Sequence, residues 1–123
     1  MLRSAVIRFS FIVHRSSLIV MNISPTELQT LLATGDPPLL LDVREPWETE
    51  ICSIAGSLKI PMRDIPARLA ELPSGRRVAV ICHHGMRSAM VVRYLLENGI
   101  DAVNVSGGVE GWAGEVDPAM PRY

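Results

Sequence analysis

Cysteine is scarce in this 123-residue chain. The two present, Cys52 and Cys82, are too few for a disulfide framework and do not form a CxxC pair. No Cys/His set stands at zinc-finger spacing, so a structural zinc site is not expected. A reducing compartment, the cytoplasm, with one working thiol is the simpler account. Net charge is also small: twelve basic and thirteen acidic side chains leave −1, which gives no electrostatic case for nucleic acid. No apolar run approaches the roughly 18–20 residues that span a bilayer, so no membrane span is expected. Internal repeats and low-complexity tracts are absent, and no motif asks for a metal, nucleotide or flavin. The expected cofactor is none.

What is there fits one domain with a single core. Hydrophobic residues make up 48% and charged residues 20% of the chain, an ordinary globular composition. Charge is unevenly placed: residues 1–21 carry Arg3, Arg8 and Arg15 without an acid, and the remainder is −4. Arg8 and His14-Arg15 interrupt the apolar runs of that first segment, and a cleavable secretory signal is not evident. The segment is compatible with an organelle transit peptide. The favoured reading is an N-terminal extension over 1–21 that precedes a domain over 22–123.

Within the body, Ser24-Pro25-Thr26-Glu27 predicts a helix start: Ser caps, Pro suits the first position and Glu27 completes a capping box. Gly35 suits its end. Leu39–Val43 and Val78–Ile81 are short continuous apolar runs, the pattern of strands buried on both faces. Further strands are expected at Ser57–Ile60 and Ala102–Val105. Helical patterns are expected at Pro46–Ile51, from Asp64 through Leu72, from Ser88 to Asn98-Gly99, and around Trp112. Alternating strand and helix indicates an α/β domain with a mainly parallel sheet, helices on both faces. In such sheets ligand sites gather at the carboxyl ends of the strands. Asp42-Val43-Arg44, Cys82 and Ser106-Gly107-Gly108 all stand at such ends.

The most informative stretch is Cys82-His83-His84-Gly85-Met86-Arg87-Ser88. A strand that stops at a cysteine and turns at once into a helix aims backbone N–H groups and the positive end of the helix dipole at the sulfur. That field favours thiolate, the reactive form. Cys82 is therefore the candidate nucleophile, and His83, His84, Gly85, Met86, Arg87 and Ser88 form the candidate anion-binding loop.

With these residues placed, the chain resembles the rhodanese family of sulfurtransferases from about Ser24 to Tyr123. Four blocks carry the resemblance: Leu41-Asp42-Val43-Arg44-Glu45, Ile54 to Pro61, the Cys82–Ser88 loop, and Ser106-Gly107-Gly108 followed by Trp112. The chain has Cys52-Ser53 where family members commonly have Gly-His. Four residues separate Cys82 from Arg87, the loop length of the family's sulfurtransferases. Related phosphatases have one residue more, which widens the cradle for phosphate.

The resemblance implies a rhodanese-like fold and sulfur transfer through a Cys82 persulfide. The donor would be a small anion such as thiosulfate, and the acceptor cyanide, a thiol or a partner protein. Arg87 would attract the anion, brace the loop through a carboxylate, or both. His83 and His84 are donors, general acids or exposed loop residues. Asp42 reads as scaffold, Arg44 as open between scaffold and site, and Cys52 as an ordinary, partly buried thiol. Rival readings are a non-catalytic rhodanese-like binding module and, opposed by loop length, a cysteine phosphatase or arsenate reductase.

Overall fold

The computed structural model describes residues 19–123. Most of the N-terminal segment thus lies outside the described residues, and with it the expectation of a targeting or extension sequence. Five short strands form one sheet: β1 (Asn22–Ile23), β2 (Leu39–Asp42), β3 (Leu58–Lys59), β4 (Val78–Ile81) and β5 (Ala102–Val105), in the order β1-β5-β4-β2-β3. Every pairing is parallel. Four α-helices accompany them: α1 (Pro25–Leu32), α2 (Pro46–Ile51), α3 (Met86–Glu97) and α4 (Gly108–Glu115).

The α/β expectation holds because the central strands are apolar on both sides. Ala79 and Ile81 of β4 join Leu40, Val103, Val105 and Trp112 in one core cluster. Val78, Val80 and Cys82 point the other way, into a cluster with Leu41, Ile60, Val92 and Leu95. The period-two alternation of β4 thus carries Cys82 into one cluster, while Cys52, at the end of α2, lies in the other.

The capping box at Ser24 and Glu27 forms as expected. The helix it opens ends at Leu32, before Gly35. The helix expected from Asp64 is replaced by two 3-10 segments, Met62–Asp64 and Pro66–Glu71. Pro66 has no N–H to continue an α-helical ladder, and Arg68 departs from helical geometry. Helix α3 starts at Met86 rather than Ser88. Gly85, at φ 111°, turns the chain sharply enough to begin it two residues sooner. No helix among the described residues is long and apolar enough to cross a membrane.

Candidate active site around Cys82

Strand β4 ends one residue before Cys82, whose side chain is 1% exposed. The chain then curls so that two main-chain donors meet the sulfur: Gly85 N–H at 3.1 Å and Ser88 N–H at 3.3 Å. Met86 and Arg87 stand between them in the first turn of α3, where N–H groups have no intrahelical acceptor. The sulfur therefore sits at the positive end of a twelve-residue helix.

Ser88 Oγ lies 3.2 Å from the sulfur and donates to Asn104 Oδ1 at 2.5 Å. The Asn104 amide is oriented by its own donors, which reach Asn22 Oδ1 at 2.9 Å and the Gly85 carbonyl at 3.2 Å. Strand β5 thus fixes both the hydroxyl beside the sulfur and the turn at Gly85. Asn104 was not among the expected site residues. A polar side chain inside the apolar run Ala102–Val105 was the signal, since a buried amide must find partners.

The loop is also held from outside. Val109 N–H donates to the Cys82 carbonyl at 2.9 Å, and Glu110 N–H to the His83 carbonyl at 3.1 Å. The Ser106-Gly107-Gly108 turn, which the sequence put at a strand end with Cys82, places these donors. It satisfies the Cys82 and His83 carbonyls, while the Gly85 and Ser88 N–H groups face the sulfur.

Arg87 donates to both carboxylate oxygens of Glu48, at 2.7 and 2.9 Å. Those bonds, then the Glu45–Glu48 backbone contact and the Tyr123 hydroxyl, hold the Glu48 carboxyl at about 2 against the opposing effect of burial. Tyr123 donates to Glu48 Oε2 at 2.8 Å and accepts from Arg44 Nη1 at 2.9 Å. Burial pushes its phenol up to about 12.

Arg44 is buried against Asp42, with a 2.7 Å ion pair, and also donates to the Cys52 carbonyl at 2.8 Å. Burial opposes its charge, but the Asp42 and Tyr123 hydrogen bonds outweigh that and raise its pKa. Asp42, Arg44, Tyr123, Glu48 and Arg87 thus form one polar chain under the loop. The sequence did not single out Glu48 or Tyr123, because Glu48 meets Arg87 across 39 residues and Tyr123 meets Glu48 and Arg44 across 75 and 79.

His83 is stacked between His84, at 3.9 Å, and Tyr123, at 4.0 Å. Burial, then the neighbouring His84, lowers its pKa. His84 is exposed. Among the described residues no group of His, Cys, Asp and Glu could hold a metal. Replacing Tyr123 with Phe removes one link of the polar chain and is expected to lower stability by about 1–2 kcal/mol, read from urea denaturation.

The model of the rhodanese-like domain family matches residues 24–115. A protein named sulfurtransferase from Allochromatium vinosum is 37% identical over 95 residues, covering 76% of this chain and 89% of that protein. The adenylyltransferase and sulfurtransferase MOCS3 of Arabidopsis thaliana is 35% identical over 118 residues, or 82% of this chain. The chain spans about a quarter (25%) of that protein's length. Among solved structures, a rhodanese-like domain protein from Staphylococcus aureus is 39% identical, with a TM-score of 0.74 over 79% of this chain and 95% of that one.

Proposed function

The chain belongs to the rhodanese-like domain family, and from that membership we propose that it is a sulfurtransferase working through a persulfide on Cys82. The carrying observation is the pair of amide donors, Gly85 and Ser88, on the Cys82 sulfur.

The Cys82 thiolate attacks the outer sulfur of a donor such as thiosulfate. A sulfur–sulfur bond forms at Cys82, and the donor's bond breaks with its electron pair, releasing sulfite. An acceptor, cyanide in an assay or a thiol or protein thiol in a cell, then attacks the outer sulfur and expels the Cys82 thiolate. Splitting one transfer into two displacements is covalent catalysis. The N–H groups of Met86 and Arg87 stabilise the outer sulfur anion, as an oxyanion hole does for oxygen. Within this reading Asp42 and Arg44 hold the loop from below rather than meeting the donor. Both cysteines are free thiols, which suits a reducing, cytoplasmic setting.

The test is intact-mass measurement after incubation with sulfane donors. Wild type is expected to gain one sulfur atom, and Cys82→Ala none. A protein that gains sulfur from no donor is a binding module instead, and one that hydrolyses phosphate esters is a phosphatase.

A further inference from the structure

Resting on the sulfurtransferase reading, we infer that Tyr123 is a positioning residue for sulfur transfer, bracing the loop around Cys82 at both of its ends. Its ring lies on that of His83, the residue after the nucleophile, with centroids 4.0 Å apart and planes 13° from parallel. Its hydroxyl donates at 2.8 Å to Glu48, the carboxylate that accepts two hydrogen bonds from Arg87. Residues 83 and 87 flank the sharp turn at Gly85, whose N–H meets the sulfur. Ring and hydroxyl belong to one rigid group, so the two contacts fix the ends of the loop relative to each other. The outward side chains between them give no such hold, because His84 and Met86 are exposed.

The segment after α4 carries Tyr123 back to the loop. Asp117 N–H donates to the Trp112 carbonyl at 3.0 Å, and Met120 is buried in the cluster that holds Trp112 and Ala113. Arg122 then pairs with Glu110 at 3.2 Å. Glu110 is the residue whose N–H holds the His83 carbonyl, so Glu110, Arg122, Tyr123 and His83 close a circuit around the first peptide of the loop. The Arg122–Glu110 pair is itself exposed, at 53% and 39%, and such pairs contribute little. Tyr123 therefore carries the hold. Trp47 meets its ring edge-on at 5.8 Å and Arg44 donates to its hydroxyl at 2.9 Å, which fixes the ring from its other sides.

The experiment measures Cys82 sulfur loading by rapid-quench mass spectrometry, with thiosulfate and with inorganic polysulfide, per folded molecule. Tyr123→Phe keeps the stacked ring and loses the hydroxyl, and its saturating rate is expected to fall about threefold. Tyr123→Leu loses both contacts, and a fall of about 30-fold is expected. Half-saturating donor concentrations are expected to stay at the wild-type value, because Tyr123 acts on the loop and not on the donor.

A second pair of variants separates positioning from folding. His83→Ala removes the ring on which Tyr123 stacks, and in that background the ratio of Phe to Leu rates at position 123 is expected to collapse from about tenfold to about one. Wild-type loading by Tyr123→Leu, or a Phe-to-Leu ratio unchanged by His83→Ala, overturns the inference and leaves the sulfurtransferase reading intact. Wild type that gains sulfur from neither donor overturns that reading, and the inference with it.

Discussion

Gly108→Ala is expected to dismantle the loop around Cys82, although residue 108 touches no sulfur. A Cβ there would lie 2.3 Å from the His83 carbonyl oxygen and 2.4 Å from that of Cys82. Both are backbone atoms, so no side-chain rotation relieves the overlap. Gly108 also has φ +59°, a left-handed conformation that side chains disfavour. The turn and the loop must separate, breaking the bonds from Val109 and Glu110 to the loop carbonyls.

The combined strain and lost hydrogen bonds amount to about 2–5 kcal/mol of stability. Displacement of the loop by about 1 Å is expected to slow sulfur loading per folded molecule about 100-fold. Denaturant titration and initial-rate loading read the two effects separately. Gly99→Ala is the control, because Gly99 has φ +80° but nothing within 4 Å of its added Cβ. It is expected to lose stability from backbone strain alone and to load sulfur normally.

The second large effect is expected in Arg87→Ala. Glu48 has a side chain only 4% exposed, against 32% for Arg87. Truncating the arginine leaves a buried carboxylate with Tyr123 and the Glu45 N–H as its donors. Breaking a fully buried pair costs about 3–5 kcal/mol, and the partial exposure of Arg87 reduces the expected loss to about 2–3 kcal/mol.

The pH dependence has a definite sign. The Glu48 carboxyl is held at about 2 in the folded protein against 4.5 unfolded, so between these values the unfolded state binds the extra proton. Its contribution is complete above about 4.5 and is lost as pH falls toward 2, up to about 3 kcal/mol. In Arg87→Ala the folded value moves up toward the unfolded one. The variant is then least stable relative to wild type near neutrality, and the gap closes in acid. Denaturation midpoints from pH 7 to pH 2.5 measure this. A constant gap across that range would show that Arg87 and Glu48 do not stabilise each other.

The sequence made much of this site legible, and the reason is local. Leu39–Asp42 and Val78–Ile81 read as doubly buried strands because both of their faces are apolar. Ser24, Pro25 and Glu27 read as a helix start because a capping box is completed within four residues. The turn from Cys82 into a helix likewise needs only neighbouring residues. The supports of the loop were not legible, because tertiary register decides them. Glu48 meets Arg87 only once β2 and β4 pair, and Tyr123 meets Arg44 and His83 only after the chain passes back over the sheet. Gly108 looked like a turn glycine, and only the packing of α4 against the loop shows what its missing Cβ makes room for. Asn104 is the residue that closer reading could have reached, since an amide in a buried strand has to be satisfied. The 3-10 segments around Pro66 show a prolyl ring overriding an apolar spacing that suited an α-helix.

The most direct test of the account is a high-resolution crystal structure of the protein after treatment with a sulfane donor. The account predicts a second sulfur bonded to Cys82 and lying within hydrogen-bonding reach of the Met86 and Arg87 N–H groups. A Cys82 left unmodified by donors that load other thiols, or an added sulfur turned away from those groups, would contradict it.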